Sequence, residues 1–164
     1  MKKIIAMAIC ILIAAFIAAF AGDKPTPQKQ SDYQISFNRI VVYDDIDVQL
    51  KESDSRNIAF AGKEADVENI DWKIKDNVLY LQSKKGSLKD KVKVQVTVNQ
   101  LKEIVVNGRS VVSSNGALLS PKLYVYVQSE CYVALKNTGE IHVIEGADTE
   151  IKIKTLKGDV TLGK

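Results

Sequence analysis

The sequence predicts a mainly β protein, a right-handed parallel β-helix of about 18–19 residues per coil with one short helix in its N-terminal half. Three observations predict it. Apolar and polar residues alternate with period two over most of the chain, as in Val92, Val94, Val96 and Val98 with Lys93, Gln95 and Thr97 between them. After Asn99 the alternation recurs at an interval: Ile104, Leu123, Ile141 and Val160 stand 19, 18 and 19 residues apart, and Val106, Val125, Val143 and Leu162 follow in the same register. The corner before the strand recurs as well. Thr138-Gly139-Glu140 matches Lys157-Gly158-Asp159, and Pro121 takes the glycine's place one coil earlier; a tight bend of fixed shape selects those residue types.

Period-two alternation excludes helical repeats. Leucine-rich repeats need a recurring asparagine and an intervening helix, and neither is present. A left-handed hexapeptide helix also gives about 18 residues per coil, but the apolar positions do not recur strictly every six. Parallel crossovers are ordinarily right-handed, which sets the expected hand. Further columns are expected from Val112, Cys131 and Thr149, from Val133 with Ile151, and from Leu135 with Ile153. One coil cannot bury its apolar face, whereas stacked coils bury it together. The stretch Gly116-Ala117-Leu118-Leu119 has no counterpart in the other coils.

The chain opens with MKKIIAMAICILIAAFIAAFAG: two lysines, an apolar run from Ile4 to Phe20 and a small-x-small site at Ala19-Phe20-Ala21. Residues 1–21 are expected to be a Sec signal peptide cut after Ala21. The run is at the short end for a membrane span, and no later run is long enough, so no integral membrane segment is expected after cleavage. Residues 22–32, GDKPTPQKQSD, are polar with two prolines and read as a flexible tether. The folded domain is expected over 33–164.

Within it, Ile40 and Val42, then Ile46, Val48 and Leu50, then Ile58 and Phe60 mark strands, broken by the turn-rich YDD and KESDSRN. In KEADVENIDWKI the spacing of Val67, Ile70 and Ile74 predicts a short helix of about one to three turns. Val78 to Leu81 returns to strand. SKKGSLKDK reads as a charged loop whose lysines keep an edge soluble, and the valine strand follows it.

Cleavage would remove Lys2, Lys3 and Cys10, leaving 21 Lys+Arg against 20 Asp+Glu and Cys131 alone. So even a balance lacks the concentrated basic face of a nucleic-acid binder. Cys131 has apolar neighbours at period two and reads as a buried small hydrophobe, not a reactive thiol.

His142 is the single histidine. The expected register sets Tyr124 and Thr161 beside it, neither a convincing nucleophile. Zinc needs three or four N/S ligands, so no metal or cofactor is expected there. Asp44, Asp45 and Asp47 have the oxygens for calcium, but they stand at a turn, where aspartate is favoured anyway. The expected outward columns are Tyr124/His142/Thr161, Tyr126/Ile144, Tyr132/Glu150, Ala134/Lys152 and Lys136/Lys154. Glu150 is the single carboxylate among them, whereas a glycosidase needs two facing carboxyl groups.

The segments FNRIVVYDDIDVQLKES, VENIDWKIKDNVLYLQS, VKVQVTV and LKEIVVNGRSVV, in that order, resemble the family named for a putative auto-transporter adhesin head GIN domain, secreted envelope proteins of Gram-negative bacteria. The likeness extends over almost all of residues 33–164. Asn107-Gly108-Arg109-Ser110 partly matches the small-residue signature that follows the family's first repeat strand. The resemblance implies an exported, non-enzymatic binding module in the periplasm, on the outer cell surface or outside the cell. Its partner would be a surface glycan or an envelope protein. The outward Tyr124, Tyr126 and His142 are the candidate ligand-binding residues. Two other readings stand beside this one, a purely structural envelope β-helix and a polysaccharide-active enzyme.

Overall fold

The structure, a computed structural model, describes residues 29–31, 36–55, 57–84, 92–146, 151–157 and 160–163. The elements are β1 (Lys29–Ser31), β2 (Arg39–Tyr43), β3 (Ile46–Glu52), β4 (Ile58–Ala61), α1 (Glu64–Val67), β5 (Ile70–Lys75), β6 (Val78–Ser83), β7 (Val92–Val98), β8 (Glu103–Asn107), β9 (Val111–Ser114), β10 (Lys122–Val127), β11 (Cys131–Lys136), β12 (Glu140–Glu145), β13 (Ile151–Lys157) and β14 (Val160–Gly163). They form two sheets. The first runs β1-β4-β7-β3-β9-β11-β13 and the second β14-β12-β10-β8-β2-β6-β5. One core lies between them, with Ile46, Leu50, Val94 and Val133 from the first sheet meeting Ile40, Leu79, Leu123 and Ile141 from the second. Apolar surface leaving water along this shared interior is the main stabilising term.

This is not the expected right-handed parallel β-helix. Both sheets are mixed. β4 pairs antiparallel with β7 and with β1, and β5 pairs antiparallel with β6. The order is also non-sequential, because β2 lies between β6 and β8, and β3 between β7 and β9. A coil-by-coil helix would place the first strands at one end. Here β2 and β3 stand in the interior of their sheets, with β1 at an edge. Period-two alternation reports which face a residue buries and carries no information about which strand lies alongside.

The segment expected to be helical divides. α1 is a single turn over Glu64–Val67, without a side-chain cap, and a helix so short depends on packing; Val67 rests against the core. Ile70 and Ile74 lie on β5 instead, with Trp72 between them packed against the core. A spacing of four suits a helix face and a strand face equally, so Trp72 held the deciding period. Asp76 and Asn77, at φ 53° and 61°, make the two-residue turn into β6. Paired left-handed residues match the twist of a hairpin.

The parallel ladders also correct the expected columns. Leu123 pairs with Ile141, Val125 with Val143, and Ile141 with Val160. However, Ile104 pairs with Val125 and Val106 with Val127, two residues beyond the expected partners. In the first sheet Val112 pairs with Val133, Cys131 with Ile151 and Val133 with Ile153. A register shift then follows between Val133 and Ala134, and Leu135 meets Leu156. Thr149 lies outside the described residues, as do Glu150 and Gly158-Asp159 of the expected corner.

The unmatched Gly116-Ala117-Leu118-Leu119 supplies the two extra residues. Gly116 turns at φ 91°, Leu118 is buried and bridges to Asn137, and Leu119 is exposed. Beside them Ser120 donates its hydroxyl to Leu101 O at 2.5 Å, while Asn137 accepts from Ser120 N–H at 3.1 Å and donates to Ser120 O at 2.8 Å. Buried polar groups at this corner are thereby paired. Gly139 must be glycine here, since a Cβ would lie 2.3 Å from Pro121 O.

Candidate functional site

Strand alternation divides β10 into buried Leu123, Val125 and Val127 and half-buried, outward Tyr124 and Tyr126. Parallel pairing sets His142 beside Tyr124 and Ile144 beside Tyr126. The three candidate residues are therefore neighbours on the outer face of the second sheet. The rings of Tyr124 and His142 stack at 5.1 Å between centroids, and those of Tyr124 and Tyr126 at 6.4 Å. The Tyr124–His142 pair is cross-strand, and such pairs stabilise the sheet that displays them; Tyr126 extends the row along β10.

A charged group borders the ladder. Glu140 Oε2 lies 2.8 Å from His142 Nε2 and 3.6 Å from Lys122 Nζ, and Lys122 Nζ stands 5.8 Å from the Tyr124 ring centre. The hydrogen bond from His142, then the charge of Lys122, hold the Glu140 carboxyl below its ordinary pKa. Tyr124 and then Glu140 raise that of Lys122. Glu140 and Lys122 are exposed, so this is a local bias in charge, screened by solvent.

On the other flank, Tyr124 pairs with Glu103 and Tyr126 with Val105. Glu103 holds Arg39 of β2 at 3.0 Å. Sequence reasoning missed this flank for two reasons. The two-residue slip misaligned β8 with β10, and nothing local brings β2 alongside β8. Glu103 and Glu140 are thus two carboxylates on the outer face, each engaged with a cation. The expected outward columns of the first sheet are likewise displaced: Tyr132 pairs with Lys152, Ala134 with Thr155 and Lys136 with Lys157.

The aspartates considered for calcium hold a corner together. Asp44, at φ 62°, accepts Ser83 N–H at 2.9 Å through Oδ2, and its carbonyl accepts the Ser110 hydroxyl at 2.8 Å. Asp47 accepts Val111 N–H at 3.2 Å, and Asp45 pairs with Arg109 at 3.2 Å. Gly108 packs against this turn so closely that a Cβ would lie 2.0 Å from Asp44 O. Among the described residues no group of three or more His, Cys, Asp or Glu is placed to hold a metal ion. Cys131 is buried, and burial pushes its thiol up to about 11, which suppresses the nucleophilic thiolate. Of the lysine-rich loop, residues 85–91 lie outside the described residues; Lys84 donates to Glu68 O at 2.9 Å.

Two facing mixed sheets with a non-sequential strand order make this a mainly β, two-sheet domain with one ring-bearing outer face. Residues 36–162 match the family described as "Putative auto-transporter adhesin, head GIN domain", and the chain belongs to that family. Among solved structures it is similar to a putative adhesin from Parabacteroides distasonis, at 18% identity and TM-score 0.68, over 87% of this chain and 67% of that one. A putative adhesin from Bacteroides fragilis is similar at 16% identity and TM-score 0.53, over 86% and 97%. A putative lipid binding protein from Parabacteroides distasonis is similar at 13% identity and TM-score 0.62, over 82% and 61%. At these identities the likeness is one of fold. No curated protein matches the chain. Among the described residues no helix is long and apolar enough to cross a membrane.

Proposed function

We propose that this protein is an exported, non-enzymatic recognition module of the cell envelope that binds a surface glycan or an envelope protein through Tyr124, Tyr126 and His142. The observation that carries the reading is the contiguous ring ladder on a rigid outer sheet face, Tyr126–Tyr124–His142. Rings held in place offer apolar area and a polar handle at low entropic cost. Membership of an adhesin-head family agrees with it. Export would follow from residues 1–21 acting as a Sec signal cut after Ala21, with 22–32 as a tether and 33–164 as the head. Lys29–Ser31, inside that tether, lie against β4. The pairing of Glu103 with Arg39 and of Glu140 with Lys122 and His142 supports assigning these carboxylates to positioning, not to catalysis.

A second reading draws on the same rings. Their faces pack on one another, so they also suit a purely structural sheet surface. The double variant Tyr124→Ser/Tyr126→Ser separates the two. A recognition face loses adhesion or glycan retention while the melting temperature barely moves. A packing face loses many degrees with retention unchanged. N-terminal sequencing of the protein from its native host should begin at or near Gly22; retention of Met1 with partition into detergent removes the export claim.

A further inference from the structure

The outer faces of the two sheets differ in how their charges are answered. On the second sheet Arg39 pairs with Glu103 and Lys122 with Glu140. Lys73 and Lys75 are exposed there on β5, with Lys73 Nζ 5.6 Å from the Tyr80 ring centre. β5 is an edge strand, and lysines on an edge guard it against unwanted pairing. On the first sheet Lys51, Lys93 and Lys136 are exposed on β3, β7 and β11. They point outward, because Leu50, Val92, Val94 and Leu135 beside them fill the core. These strands are interior, paired on both sides, so edge guarding does not account for their lysines. Among the described residues none of the three is in an ion pair.

Two carboxylates come near, and both are engaged elsewhere. Asp47, beside Lys93 in register, accepts Val111 N–H at 3.2 Å. Glu52, next to Lys51, accepts Gln100 N–H at 3.1 Å and Leu119 N–H at 2.9 Å. β13, whose sequence IKIKTLK has no acid, brings Lys152 and Lys157 to the register positions beside Tyr132 and Lys136. A solvated face ordinarily intersperses both signs. This one carries a surplus of one sign, which draws the opposite charge.

Between the lysines runs an uncharged row. Ala59, Gln95, Gln49, Ser113 and Ala134 are register neighbours on the adjacent strands β4, β7, β3, β9 and β11. At about 4.8 Å per strand the row is about 19 Å long. Lys51 and Lys136 stand two residues beyond it on one side, and Lys93 two residues before it on the other, each about 7 Å away along its strand. Half-buried Tyr132 shares the side of Lys93. The short side chains keep the row low, and the glutamine amides both donate and accept. An extended polymer with hydroxyls along its length and negative charge at its margins matches the row and its banks. A lipid surface would find little to take in, since the exposed large apolar side chains among the described residues, Tyr43 and Leu119, lie off these strands.

We propose that the outer face of the first sheet binds an acidic polysaccharide, a linear uronic acid polymer lying across the strands along this row with its carboxylates on Lys51, Lys136 and Lys93. The site is on the far side of the molecule from the tyrosine–histidine ladder and does not rest on it.

The test is calorimetric titration of the protein with polygalacturonate and alginate at low and high salt. Dextran, inorganic polyphosphate and phosphatidylglycerol vesicles are titrated alongside. A uronic polymer is expected to bind and to weaken as salt rises. Lys51→Gln/Lys136→Gln should weaken it about tenfold, and Gln49→Glu, which sets a like charge in the row, should also weaken it. All these side chains are exposed, so the melting temperature should not move. Lys73→Gln/Lys75→Gln, on the edge of the other sheet, should leave binding unchanged; an equal loss there overturns the site in favour of general surface charge. A folded protein that binds neither uronic polymer overturns the proposal, as does dextran binding equally well. Polyphosphate or vesicles bound as tightly as the uronic polymers overturn the saccharide class. Uronic binding lost in Tyr124→Ser/Tyr126→Ser but intact in the lysine variants overturns this face and leaves the ring ladder as the recognition surface.

Discussion

The region from β2 to β7 and the region from β8 to β14 use the same strand chemistry with different arithmetic. In the later region each strand pairs with the next strand of its own sheet, Leu123 with Ile141 and Ile141 with Val160. In the earlier region Ile40 pairs with Leu79 and Ile46 with Val92, because the chain makes an excursion through β4, α1 and β5 before returning. Where the return is short, pairing distance and sequence interval coincide and the eye finds a period. Where an antiparallel edge is laid down in between, the same alternation persists but the interval disappears. Alternation records burial. Only the lengths of the connections record neighbourhood.

The largest test of this contrast is a charge placed in the later ladder. Ile141 is fully buried between Leu123 and Val160. Ile141→Asp should cost several kcal/mol, at or beyond the upper end of the usual range of about 0.5–3. His142→Thr, one residue on and outward, should cost about 1 kcal/mol or less. Equal losses in thermal or urea unfolding would mean the ladder faces the wrong way.

A smaller effect separates the regions themselves. Gly108→Ala forces a Cβ against Asp44, at a contact between the later region and the β2–β3 turn of the earlier one, and Gly139→Ala forces one against Pro121, within the later region. Each should cost about 1–3 kcal/mol, as overpacking does. Hydrogen exchange distinguishes them: Gly108→Ala should speed exchange in β2, β3, β8 and β9 together, Gly139→Ala only in β10 to β12. Cys131 reports the same difference, since its buried thiol should resist alkylation at pH 8 until β11 opens. Identical exchange maps for the two variants would show that the regions open as one unit.

The smallest effect lies at the ring ladder. The depressed Glu140 pKa means the interaction is fully present above the ordinary carboxylate range and is lost as pH falls through the lowered value. His142→Thr removes the first cause and leaves Lys122, so Glu140 should titrate closer to its ordinary value. Carboxyl NMR titration of the two proteins measures it, and an unmoved Glu140 would assign the depression to Lys122 alone.

Much of this molecule was legible in residue order. The alternations of β2, β3, β7 and β10 fixed their buried faces, and Tyr124, Tyr126 and His142 were read as neighbours because β10 to β12 is an uninterrupted return. Three things were not legible. Ile70 and Ile74 satisfy two periods at once, which hid β5. The two residues inserted at Gly116–Leu119 shifted β8 against β10 without breaking either alternation. The placing of β2 beside β8, which brings Arg39 to Glu103 and Val41 to Val105, depends on long-range packing that no local pattern encodes. The half of the outer face that sequence missed is the half that long-range pairing builds.

The interior position of β2 and β3 has a consequence for assembly. Each of the two, one in either sheet, has two edges to be filled, and growth of its sheet in both directions depends on it. β6 and β7 close one edge. β8 and β9 close the other, through the interlock of Asp44 and Asp47 with Gly108, Ser110 and Val111. From there β10 to β14 extend in one direction only, each resting on the preceding strand of its own sheet. A chain delivered N-terminus first therefore brings its seed before its extension, and loss of the final strands removes the outermost layer, not the foundation.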